Sequence, residues 1–149
     1  MQKQFEITQQ FRGATLGVIE NLSDEQLLAV PEGFKNNILW NLGHMVLSHQ
    51  YFVYAPAGLD VNVPEAMAAN FGRGTSPSDW ESTPDIAEIK ALAMSTMEIL
   101  AADIKADKFQ NYGGMNVGVQ LETAEDAATF ICFHEGEHFG IIKTLSNLV

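Results

Sequence analysis

The stretch TAEDAATFICFHEGEHFGIIKTL, Thr123 to Leu145, has a capping residue at its head and apolar side chains at helical intervals to its end. Thr123 followed by Ala124, Glu125 and Asp126 has the form of a helix N-terminus, where a hydroxyl caps free amides and acids meet the positive end of the dipole. At about 100° per residue, Ala127, Phe130, Ile131, Ile141 and Leu145 share one stripe, and His134 and His138 lie on it one turn apart. The spacing predicts two imidazoles that point into a bundle rather than at solvent.

Upstream, Ile38 to Tyr54 is apolar on nearly every side, capped by Asn36 or Asn37 and ended by Pro56 and Gly58. A helix wet on one face would be amphipathic, so this one is expected to be the most buried, central to the bundle or shared with a second subunit. From Lys3 to Glu20, Phe5, Phe11 and Leu16 with Ile7, Ala14 and Val18 recur at helical intervals. Ser23 to Gln26 has the form of a capping box that opens a short helical turn, closed by Pro31 and Gly33.

Asp60 to Ser82 is rich in Gly, Pro and Ser, contains a short helix from Pro64 to Phe71, and is long enough to form a flap over one end of a bundle. Thr83-Pro84-Asp85 gives the order cap, first-turn proline, acidic first turn, and predicts a helix to about Asp107 with Ile86, Ile89, Leu92, Ala93, Thr96 and Leu100 inward. Met94 and Met97 on that helix read as core filling. Phe109 to Leu121, with Gly113-Gly114 inside it, reads as a loop with one extended piece. The expected class is therefore all-α: a four-helix bundle with a short extra helix in the connection between helices 2 and 3, forming one domain over residues 1–149.

The composition narrows the function classes. Hydrophobic residues make up 46% of 149 residues, which fits one packed core. The formal charge is −11, and the eight Lys and Arg residues are scattered, so nucleic acid is not expected as a partner. The single cysteine, Cys132, excludes an intrachain disulfide and fits a reducing compartment; with no apparent export signal or membrane span, the cytoplasm is expected. Cys132 itself reads as a small packed side chain.

Two imidazoles on a buried stripe need partners, because an unsatisfied buried polar group costs roughly 1–3 kcal/mol. A divalent metal would satisfy both. His44, one turn after Trp40 on a stripe continued by Leu47, Tyr51 and Tyr54, is a third candidate ligand. Three neutral imidazoles with a position left open suit zinc, nickel or a related first-row ion. His49 is turned by about 140° from His44 and is read as partly exposed or hydrogen-bonded, not as a ligand. His134-Glu135-Gly136-Glu137-His138 also matches the H-E-x-x-H pattern of zinc proteases, but those take a third ligand from downstream, and Phe139 to Val149 contains no His, Asp or Glu. Glu135 and Glu137 flank the ligand stripe; each is a candidate catalytic base or orienting group, and each has a solvated surface role as its alternative.

Ile38-Leu39-Trp40-Asn41-Leu42-Gly43-His44 and His134-Glu135-Gly136-Glu137-His138-Phe139-Gly140 together resemble two segments of the DinB-like superfamily. It includes YfiT-like metal-dependent hydrolases and bacillithiol- and mycothiol-dependent transferases. The first resembles the family's Trp-x-x-x-His element, the second its last helix, where His-x-x-x-His precedes a small residue. The resemblance implies a four-helix bundle, often a homodimer, with a nickel or zinc site on His44, His134 and His138. It implies no DNA binding.

Three functions follow as expectations: a metal-dependent hydrolase or thiol transferase acting on a small molecule, with Glu135, Glu137, Tyr51 and Asn41 as candidate assistants; a non-catalytic metal- or small-molecule-binding bundle; or a structural dimer without metal. Phe71-Gly72-Arg73-Gly74-Thr75 lacks the strand and lysine of a phosphate loop and reads as a flexible turn.

Overall fold

Helix α1, Gln2–Ile19, buries Phe5, Thr8, Arg12, Thr15 and Ile19 in the computed structural model, which describes residues 1–149. Ile7 and Ala14 face outward instead, so the inner face is rotated from the one that apolar spacing alone indicates. The cause is Arg12. Its guanidinium is buried and forms a two-pronged pair with Glu135 of the last helix, while Nη1 donates to the Ala93 carbonyl at 3.1 Å. A fully paired ion can occupy a core position that periodicity assigns to a hydrocarbon, and breaking such a pair costs about 3–5 kcal/mol.

Ser23 and Gln26 form the expected reciprocal capping box at the head of α2, Asp24–Leu28. The Asn37 side chain accepts from Trp40 N and opens α3, Ile38–Val53. Thirteen of the sixteen residues of α3 are buried by this chain alone, so its all-round apolarity is explained by a central position in the bundle. A short 3₁₀ turn at Ala55–Ala57 ends in the left-handed Gly58, and α4 follows at Ala66–Phe71.

The expected flap is a docked segment. Phe71 is fully buried and meets Trp80 edge-on, Trp40 Nε1 donates to Thr75 Oγ1 at 2.9 Å, and Trp80 Nε1 donates to the Asn70 carbonyl at 2.9 Å. Its close approach explains Gly43: a Cβ there would clash with the edge of the Phe71 ring.

Helix α5, Ile86–Lys105, is capped by Asp85, whose side chain accepts from the amides of Ala87 and Glu88. The cap therefore lies two residues after Thr83, because the carboxylate reaches two free amides from that position. Met97 is buried as expected, whereas Met94 is 58% exposed. A two-residue antiparallel hairpin, β1 at Met115–Asn116 and β2 at Gln120–Leu121, turns through Gly118 at φ 101°. Thr123 and Asp126 form a capping box that starts α6, Ala124–Leu145.

The fold is thus an all-α bundle in which α3 contacts α5 and α6, and α1 packs along α6. One apolar cluster gathers around Leu42, Met45, Ile89 and Ile142, the other around Val53, Tyr54, Leu100 and Ile131. No helix is long and apolar enough to cross a membrane.

Gly43→Ala separates two opposed effects. Helix propensity favours alanine by up to about 1 kcal/mol, but overpacking a filled core costs about 1–3 kcal/mol. Phe71 is fully buried and would have to shift to admit the methyl group, so the variant is expected to unfold at lower urea concentration, and adding Phe71→Leu is expected to restore part of the loss.

Candidate metal centre

Helices α3 and α6 pack against each other and bring three imidazoles together, their planes tilted by 45° to 58° to one another. The ring centroids of His44, His134 and His138 lie 4.6 to 5.2 Å apart, and one nitrogen from each falls within 4.8 Å of the others. Two nitrogens at about 2.1 Å from a common zinc can be no more than about 4.2 Å apart. Small ring rotations therefore suffice to share an ion.

The tautomers follow from acceptors that can only accept. His44 Nδ1 lies 2.7 Å from the Phe71 carbonyl, so this nitrogen carries the hydrogen and Nε2 keeps its lone pair. Ser48 Oγ, 3.3 Å from Nε2, donates to that lone pair. Asn41 Nδ2 donates to the Asn37 carbonyl at 2.8 Å, which turns Asn41 Oδ1 toward His138. His138 Nδ1 donates to this oxygen at 2.8 Å, which leaves the lone pair on its Nε2. Carbonyl acceptors behind two imidazoles are the arrangement that orients metal-binding histidines and raises their basicity.

His134 differs. Its Nδ1 is buried without any hydrogen-bond partner, while Phe52 and Phe130 stand beside the ring. The chain leaves this polar atom unsatisfied in a cluster otherwise poised to donate lone pairs. The residues present fit a divalent ion on both counts. Trp40 stacks on His44 at 4.7 Å and holds the third ring from behind.

Electrostatics act in the same direction. Burial first, then the neighbouring rings of His138 and His44, push His134 down to about 3. Burial and then His44 push His138 down to about 4. His44 is lowered by burial, against the opposing Phe71 hydrogen bond and the Glu137 charge. All three rings are therefore neutral at pH 7, as metal ligation requires.

The histidines line one wall of a cavity of about 640 Å³ whose other walls include Leu47, Phe52, Met115, Val117 and Phe130. Glu137, Tyr51 and Ser48 also line it. Glu135 does not. Its carboxylate is fully buried and committed to Arg12, and burial raises its pKa against the pull of that guanidinium. The two acids leave α6 on opposite sides of the histidine stripe, one toward α1 and one toward the cavity.

His49 is neither partly exposed nor hydrogen-bonded: it is fully buried with both ring nitrogens unpartnered, and burial followed by the Arg12 charge lowers its pKa to about 3. The Phe71 carbonyl and Ser48 are site groups that sequence inspection does not single out. A backbone carbonyl carries no side-chain signal; Ser48 is one turn from His44, a spacing that would have revealed it. Apolar periodicity does not mark Arg12 either; the signal it carries is its place in the spacing of Phe5, Thr8, Thr15 and Ile19, the buried face of α1.

A helical bundle presenting three inward histidines at one cavity defines the class to which this protein belongs. The sequence pattern of the DinB superfamily matches residues 7–142, and the chain is a member of that superfamily. No curated protein matches the chain.

Removing one imidazole by His138→Ala is expected to abolish stoichiometric divalent metal in plasma mass spectrometry, and Asn41→Ala to weaken affinity about 10–100-fold. In metal-free protein, stability should depend on pH with a definite sign. His49, His134 and His138 stay neutral in the fold down to about 3 or 4 but take up protons near 6.5 when unfolded. The unfolded state then binds more protons, so stability is complete above about pH 6.5 and declines as pH falls toward about 4. Urea midpoints should drop between pH 7 and 5, and His49→Leu should flatten the slope by about one proton, or about 1.4 kcal/mol per pH unit.

Proposed function

We propose that this chain is a divalent-metal-dependent enzyme acting on a small molecule, as a hydrolase or a thiol transferase. One observation carries this reading: three neutral imidazoles, two with their lone pairs set by carbonyl acceptors, converge on the wall of a cavity large enough for a substrate. Three protein nitrogens are one short of the set that closes a structural zinc site.

A zinc or nickel ion held by His44, His134 and His138 supplies Lewis acidity, which makes a water or thiol acidic enough to react near neutral pH. The chain's own residues do the rest. Glu137 faces the cavity and forms no ion pair or hydrogen bond within the chain, so its carboxylate can accept a proton from the attacking group. Glu135 is withdrawn from that role by Arg12 and instead ties α6 to α1. Asn41 and the Phe71 carbonyl hold His138 and His44 against rotation. The aromatic and aliphatic walls exclude water from one side of the bound molecule.

The test is a panel of p-nitrophenyl esters, and of low-molecular-weight thiols with 1-chloro-2,4-dinitrobenzene, assayed on zinc- and nickel-loaded protein. Turnover lost with chelator and restored by the metal supports the reading. Glu137→Gln is expected to lower kcat by about 10²-fold or more with metal content retained. Bound metal with no turnover across the panel would assign the site to ligand binding without catalysis.

A further inference from the structure

Arg73 is the one cation that lines the histidine cavity. The chain has eight Lys and Arg residues against nineteen acids, and its other arginine, Arg12, is consumed by the buried pair with Glu135. Arg73 forms no hydrogen bond or ion pair with any residue of the chain, and its side chain is exposed at the cavity. In so acidic a protein, a guanidinium left unpaired at the cavity has a planar fork of donors available to an incoming anion.

The backbone that carries it is held in place. Thr75 Oγ1 donates to the Gly72 carbonyl at 2.8 Å and receives the Trp40 indole at 2.9 Å, while Lys35 Nζ donates to the Gly74 carbonyl at 3.1 Å. Gly72 N is bonded to the Ala68 carbonyl at 3.1 Å, and a Cβ at Gly72 would collide with that same carbonyl. Two residues before Arg73, the Phe71 carbonyl orients His44. One short turn therefore orients a metal-ligand candidate and holds the backbone from which Arg73 reaches the cavity.

We propose that Arg73 is a specificity determinant, and that the small molecule taken by this cavity carries a carboxylate that pairs with Arg73 while its apolar body lies along Phe52, Phe130 and Val117. The inference rests on the assignment of the cavity as the substrate site. A carboxylate is favoured over a phosphate monoester because a single guanidinium in a chain of net charge −11 offsets one negative charge and leaves a second one opposed by the protein's own field. The Glu137 carboxylate, which lines the cavity near His44, disfavours a second anionic group at the histidines.

Isothermal titration with 4-phenylbutyrate, its neutral amide and 3-phenylpropyl phosphate tests this on wild type, Arg73→Gln and Arg73→Lys, each metal-stripped and zinc-loaded. Stripped protein removes direct ligation of the acid by zinc as an explanation. Expected is an acid-over-amide preference of about fivefold in stripped wild type, lost in Arg73→Gln, partly kept in Arg73→Lys and reduced by salt. Equal binding of acid and amide, absence of acid binding at millimolar concentration, survival of the preference in Arg73→Gln, or tighter binding of the phosphate than of the acid would overturn the proposal. Metal content and melting temperature of the same samples keep the two ideas separable. Bound metal without an acid preference removes only the role of Arg73, whereas an Arg73-dependent preference in a protein that takes up no metal removes only the metal-dependent chemistry.

Discussion

The structure depends on a constraint set by α3: a helix buried on nearly every side has to find partners inside the protein for most of its polar side chains, and only His49 and the amide nitrogen of Gln50 go without one. Asn37 finds its partner by capping, with its amide also donating to the Leu28 carbonyl. Asn41 is bonded on both sides, to Asn37 and to His138. Gln50 accepts from the backbone and side chain of Asn62 and so anchors the start of the long connection. His44 bonds to Phe71 and thereby ties α4 to the same helix. The polar groups of a buried helix thus fix how the other segments dock on it, because an unpaired one would cost more than most single packing contacts supply.

Helix α6 shows how one short motif is divided between two tasks. His134 and His138 occupy a stripe about 40° wide, and Glu135 and Glu137 leave it at roughly 80° to either side. Packing against α1 gives Glu135 to Arg12, where it is a structural group, and leaves Glu137 at the cavity. Letters that match a protease signature therefore carry a different meaning here, since the neighbours of each helical position are set by the bundle and not by the motif. The same geometry places Thr8 and Cys132 together at 3.6 Å on the α1 side, remote from the histidine wall.

The connection between α3 and α5 joins these two levels. Its composition suggests mobility, yet aromatic side chains and carbonyl acceptors pin it down: Phe71 under Gly43, Trp80 on Asn70, Trp40 on Thr75. Glycine serves this segment where backbone and ring must approach closely, at Gly43 and Gly72. The hairpin from Met115 to Leu121 completes the enclosure from the other side, bringing Met115, Asn116 and Val117 to the cavity.

The four long helices, the capping box at Ser23, the cap at Thr123, the burial of α3 and the inward direction of His44, His134 and His138 were legible in the sequence, because each is a local property of spacing or of a cap; that α3 is buried within this chain, not against a second subunit, was not. Which faces of α1 and α5 turn inward was only partly legible. Arg12 reads as polar yet lies in the core, and Met94 reads as core yet lies in solvent, since a distant partner or its absence decides burial. The division between Glu135 and Glu137, the burial of His49, the Phe71 carbonyl behind His44 and the approach of Arg73 to the cavity were decided by tertiary structure alone. Each depends on a residue far away in the chain, and periodicity records the direction of a side chain from its own helix but not what meets it there.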